Sequence, residues 1–136
     1  MENSAFKLKR ELYQRLSSLV MNTDEKVEPA HIFNTENGPL YCADFFLESG
    51  CNALKIEGPA VIEVKKRPLF DTVSQNKKIF QKLKRNDDLK TFLLAVDEAN
   101  DYVKISGIRR TGFGVVSVNG LCDKIEKATN PAKVLK

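Results

Sequence analysis

The stretch Gly58-Pro59-Ala60-Val61-Ile62-Glu63-Val64-Lys65-Lys66-Arg67 decides how this chain is read. Val61, Ile62 and Val64 are β-branched and apolar, which suits a pleated interior position. Gly58-Pro59 ahead of them and Pro68 behind them mark off one short strand. Residues i and i+2 of a strand share a face, so Glu63 and Lys65 point one way and Ile62 and Val64 the other. Charge on a core strand is costly unless it is paired or used. Two readings follow. Glu63 and Lys65 neutralise each other on a half-exposed face, or the carboxylate holds a divalent metal while the lysine stabilises charge in a reaction on phosphate. A Glu-x-Lys alone is too short to choose between them.

Upstream, Leu40-Tyr41-Cys42-Ala43-Asp44-Phe45-Phe46-Leu47 is a second apolar strand interrupted by one acid, Asp44, and ended by Ser49-Gly50. Cys51 to Glu57 is a connection or short strand. Asn22 to Pro39 is polar and broken, and reads as a loop with at most one short strand around His31-Ile32-Phe33. From Ser4 to Met21, the residues Leu8, Leu12, Leu16, Leu19 and Val20 fall at helical spacing, widened by Phe6 and Tyr13, with Ser4 as N-cap. Glu11 sits one position from the centre of that stripe, either solvated at its edge or turned into a cleft.

Downstream, the pattern predicts a helix from about Phe70 or Asp71 to Arg85, its apolar stripe made by Val73, Ile79, Phe80 and Leu83. Thr91 to Val96 is a continuous apolar strand of the kind buried on both faces. Val103 to Ile108 and Phe113 to Val118 read as two further strands. Asn119-Gly120 begins a last helix, from Leu121 to Ala128, which Asn130-Pro131 breaks. The expected fold class is α/β, a central mixed sheet flanked by helices. Residues 1–130 form the expected domain, and 131–136 a tail that can begin a linker to a further domain.

Length and composition bound the rest. The 136 residues fit one domain, with 42% hydrophobic and 29% charged residues. No apolar run approaches the roughly 20 residues that span a bilayer, and no signal peptide is expected. Cys42, Cys51 and Cys122 have unrelated spacings and there is one histidine, His31, so a structural zinc site is not expected and a reduced, cytoplasmic chain is. Cys42 reads as a small buried residue and His31 as a surface or strand-edge residue. Lys and Arg total 22 against 18 Asp and Glu, a net charge of +4. The basic clusters gather from residue 65 onward, at Lys65-Lys66-Arg67, Lys77-Lys78, Lys82, Lys84-Arg85 and Arg109-Arg110. That suits a nucleic-acid partner, although a solvated helix face accounts equally for Lys77, Lys78, Lys82 and Lys84.

Asp44 on one strand, Glu63-Val64-Lys65 on the next long one, a basic helix after them and a helix bearing Glu11 before them together resemble the PD-(D/E)XK nuclease superfamily, the restriction-endonuclease-like fold. Its αβββαβ core can be laid over Ser4 to Val96 in order. The resemblance implies a metal-dependent nuclease that hydrolyses phosphodiester bonds in DNA, in a restriction or phage-defence setting. By it, Asp44 and Glu63 ligate Mg²⁺ or Mn²⁺, the main-chain carbonyl of Val64 adds a third oxygen, and Lys65 positions the attacking water or stabilises developing charge. Glu11 matches the helix glutamate that some members place near the metal. Gln75 matches a helix glutamine of some members, although the aromatic that follows it there comes one residue late, at Phe80 after Ile79. Ala43 precedes the acid where the motif has proline. Lys66, Arg67, Lys77 and Lys78 are the expected DNA contacts. A chain this small is expected to form a homodimer or to be one piece of a larger protein. The alternative is a nuclease relic, a non-catalytic domain that binds nucleic acid or protein on the same fold. Relics usually lose one charged position, and Glu11, Asp44, Glu63 and Lys65 are all present.

Overall fold

The computed structural model describes residues 4–35, 38–67, 71–97 and 111–130. In chain order these form α1 (Ser4–Val20), β1 (Glu28–Thr35), β2 (Gly38–Leu47), a 3₁₀ turn (Asn52–Leu54), β3 (Ala60–Lys65), α2 (Thr72–Asp87), β4 (Thr91–Val96), β5 (Phe113–Ser117) and α3 (Val118–Thr129). The five strands make one mixed sheet in the order β1-β2-β3-β4-β5. β1, β2 and β3 run antiparallel in succession, while β3, β4 and β5 are parallel. The chain is thus an α/β protein. Among the described residues, no helix is long and apolar enough to cross a membrane.

Helices cover both faces because the strands alternate apolar residues to both. α1 and α3 lie on one face, where Leu12, Leu16, Leu121 and Ile125 pack with Phe45, Ile62, Val64, Leu93, Ala95 and Val116. α2 lies on the other, where Phe80 and Leu83 pack with Phe33, Val61 and Phe92. The first turn of α2 extends this layer, Val73 resting on Leu94, Val96 and Val115. Every residue of β4 is buried, as its unbroken apolar run requires.

The structure departs from the sequence reading in three places. The segment expected to be mostly loop contains β1, an eight-residue strand paired along β2. β1 is an edge strand, and Phe33 is its only described residue that is buried, so it lacks the apolar run that marks a core strand. The last helix starts at Val118, not Leu121, because Ser117 caps it: its Oγ accepts a hydrogen bond from the Gly120 N–H at 2.9 Å. Cys42, expected inside, is exposed on β2. The expected strand Val103 to Ile108 and the tail 131–136 lie outside the described residues.

β3 is launched from a tight crossing of two glycine backbones. A Cβ on Gly58 would collide with the main chain of Ser49 and with Glu48, and one on Gly50, where φ is +73°, with the main chain of Ile56. All of these obstacles are backbone and cannot rotate away. Gly58→Ala is therefore expected to destabilise the domain by about 2–4 kcal/mol, measured by urea unfolding. A loss below 0.5 kcal/mol, about the noise of a surface substitution, would contradict this packing.

Candidate active site

The site forms where β2 and β3 part. Their antiparallel register runs through Leu47–Ala60, Phe46–Val61 and Phe45–Ile62, and then stops. Asp44 and Glu63 are the next residues on the two strands. Beyond this point, among the described residues, β3 pairs only with β4, Glu63 lying beside Leu94 and Lys65 beside Val96. β2 continues against β1, with Ala43 beside His31 and Phe45 beside Pro29, but the pair between them, Asp44 with Ala30, is missing. Ala30 there adopts φ +53°.

Side-chain alternation breaks at the same residue. Ala43 and Phe45 would share a face in a regular strand. Instead Ala43 packs on the α2 side and Phe45 on the α1 and α3 side. Phe46 confirms the switch by stacking at 4.3 Å on His31, the partner of Ala43. Asp44 thus occupies a kink between two strand halves. Its Oδ2 accepts the Val64 N–H at 2.7 Å, a carboxylate filling a place that a β2 carbonyl would hold in an unbroken ladder. Its Oδ1 is 2.8 Å from the Lys9 ammonium of α1.

Glu63 shares the α2 face of β3 with Val61 and Lys65. Its side chain is only 8% exposed, with Oε1 3.9 Å from the Lys65 ammonium. Oε2 is buried with no hydrogen-bond partner among the described residues. Burial therefore pushes the carboxyl up to about 7, and the charges of Lys65 and then Lys9 only partly offset it. Two acids, each with a lysine beside it, flank this break in the sheet. Lys65 is 45% exposed and Lys9 40%, so the cluster opens to solvent through its lysines.

The structure thus places Asp44, Glu63, Val64 and Lys65 at one break in the sheet, Asp44 bound to the Val64 N–H and Glu63 beside Lys65. Val64 takes part through its N–H to Asp44. Glu11 is placed elsewhere. A helix turns about 100° per residue, so Lys9 and Glu11 point about 160° apart. Lys9 and Tyr13 lie on the flank over β2, where Tyr13 stacks on Phe45 at 6.2 Å. Glu11 lies on the other flank, in a groove with Arg15, Ile125 and Glu126, close enough to Cys122 of α3 to affect its thiol electrostatically. Among the described residues no group of three or more His, Cys, Asp or Glu gathers to hold a metal.

Gln75 is exposed in the first turn of α2, where its N–H donates to the Asp71 carbonyl. Lys66 pairs with Asp97 at 3.1 Å. Lys77 is exposed and lies over the Phe113 ring, 5.7 Å from its centre, while Lys78 and Arg67 are exposed. Lys9 is the residue that sequence reasoning missed. Its one signal was phase: Lys9, Leu12, Leu16 and Val20 continue a single helical stripe, with a cation at its first position.

No protein-family model matches the chain, and no curated protein and no solved structure matches it.

The raised Glu63 carboxyl makes stability depend on pH in a direction unusual for an acid. Its folded value, about 7, lies above the ordinary 4.5, so the folded state holds the proton longer. The stability contribution is then complete below pH 4.5 and is lost as pH rises through 7. In chelator, Glu63→Gln is expected to be more stable than the parent at pH 8 by on the order of 2 kcal/mol, with little difference at pH 4. Urea unfolding of both proteins at the two pH values measures it; equal stability at pH 8 would mean that Glu63 is not desolvated as its burial indicates.

Proposed function

We propose that the chain is a metal-dependent nuclease that hydrolyses phosphodiester bonds in DNA, on a restriction-endonuclease-like αβββαβ core spanning Ser4 to Val96. The observation that carries this reading is that Asp44 and Glu63 are the first residues beyond the paired stretch where β2 and β3 part, with Glu63 Oε2 buried and without a hydrogen-bond partner among the described residues. The order α1-β1-β2-β3-α2-β4 supports the core.

The donor set fits a hard divalent cation. Mg²⁺ takes oxygen ligands, keeps several waters and is commonly bound by one or two carboxylates together with substrate phosphate. Asp44 and Glu63 would supply the carboxylates, and Mg²⁺ or Mn²⁺ is the proposed cofactor. When bound, such an ion lowers the pKa of a coordinated water and offsets charge on the phosphate. The protein's own part is positioning. The Val64 N–H fixes the Asp44 carboxylate, and the β3–β4 ladder holds Glu63 and Lys65 on one face. Lys65, half-exposed, presents its ammonium to the phosphate oxygens on which negative charge develops. Lys77 and Lys78 on α2 form the proposed DNA-facing surface with Arg67, and Lys66 joins it from its pair with Asp97. A homodimer or a further domain would supply the target recognition that one small domain lacks room for.

A second reading draws on the same cluster. Each acid has a lysine beside it, Lys9 at Asp44 and Lys65 at Glu63, an arrangement that needs no metal and suits a non-catalytic nucleic-acid- or protein-binding domain.

Plasmid cleavage with Mg²⁺, with Mn²⁺ and with chelator, run beside Lys65→Ala, separates the two. The nuclease is expected to cut only with metal, and Lys65→Ala to lose at least about 100-fold in rate while unfolding like the parent. Cleavage by Lys65→Ala at the parent rate would remove this mechanism. If α2 meets the phosphates, DNA affinity is expected to fall steeply with salt, the slope decreasing by about one for each lysine replaced among Lys77 and Lys78. An unchanged slope would return these residues to a solvated face.

A further inference from the structure

We propose that Lys9 is a built-in counter-ion that occupies the cation position of the cluster, so that a divalent metal enters only as the Lys9 ammonium withdraws from Asp44. This rests on the metal reading above and adds to it the residue that controls loading.

The geometry places Lys9 in competition with a metal for one oxygen. Asp44 has two carboxylate oxygens, and Oδ2 already accepts the Val64 N–H at 2.7 Å. The remaining oxygen, Oδ1, is the one Lys9 holds at 2.8 Å. A metal on Oδ1 would stand within about 4–5 Å of an ammonium on that same oxygen, too close for two cations in a partly desolvated site. Asp44 is 14% exposed, so its charge requires a partner on the spot.

Lys9 is also the member of the cluster free to leave. Its side chain is 40% exposed, and a flexible four-carbon stem lets the ammonium swing into water without moving α1. The helix stays anchored by Leu12 and Leu16, both fully buried.

Calorimetry with Mn²⁺ alone, without DNA, tests this on the parent, Lys9→Met and Lys9→Arg. Methionine keeps much of the apolar stem and removes the charge; arginine keeps the charge. Lys9→Met is expected to bind Mn²⁺ about ten-fold more tightly than the parent, the gain shrinking at high salt, with Lys9→Arg close to the parent. Binding by Lys9→Met but not by the parent would support the proposal in its strongest form. If the parent binds and Lys9→Met binds equally or more weakly, the competition is overturned while the metal site stands. If neither the parent nor Lys9→Met binds, the metal reading fails and this inference fails with it. Lys9→Gln, uncharged but able to donate to Asp44, serves as the neutral variant if thermal unfolding shows that Lys9→Met does not fold.

Discussion

A strand that leaves its partner halfway along exposes main-chain groups in the interior, and those groups must be answered. In this protein the hydrogen bond from the Val64 N–H to the Asp44 carboxylate answers one of them. It lets β2 turn away toward β1 while β3 stays locked against β4. An uncharged side chain of similar size could also accept that bond. The carboxylate does so while carrying a charge into the gap, and that charge draws Lys9 down from α1. The parting of the strands, the kink in β2 and the charged cluster are thus one feature.

The energetics of the cluster rest on unequal satisfaction. Asp44 has both oxygens engaged, one by the backbone and one by an ammonium. Glu63 has one oxygen facing Lys65 at 3.9 Å, beyond hydrogen-bond length, and one without a hydrogen-bond partner among the described residues. A purely structural salt bridge on a core strand would be expected to close to a hydrogen bond, because unmet polarity in the interior is expensive. The unmatched oxygen of Glu63 is the feature on which the metal proposal draws.

Helical phase explains why the two candidate residues of α1 part ways. Lys9 and Glu11 are two positions apart, which in a strand would put them on one face and in a helix puts them nearly opposite. The buried stripe through Leu12 and Leu16 holds α1 against the sheet, leaving one flank over β2 and the other against α3. Lys9 falls on the first flank and Glu11 on the second. A glutamate near an apolar stripe has no directional information until the neighbours of the helix are known.

The sequence by itself determined the elements whose reason is local. The continuous apolar run of β4, the stripe of α1 and the bracketed β3 announce themselves because burial selects residues at a fixed period. The sharing of one face by Glu63 and Lys65 follows from strand geometry alone. The tertiary structure decided what depends on partners distant in the chain. β1 was hidden because an edge strand is answered on one side by water and needs no apolar run. The departure of β2 at Asp44 was hidden because a lost strand pair leaves no mark on either strand's pattern. Lys9 was hidden because its role is set by a carboxylate 35 residues away. Periodicity records which side of an element is buried. Which charges meet is settled only when the elements are packed.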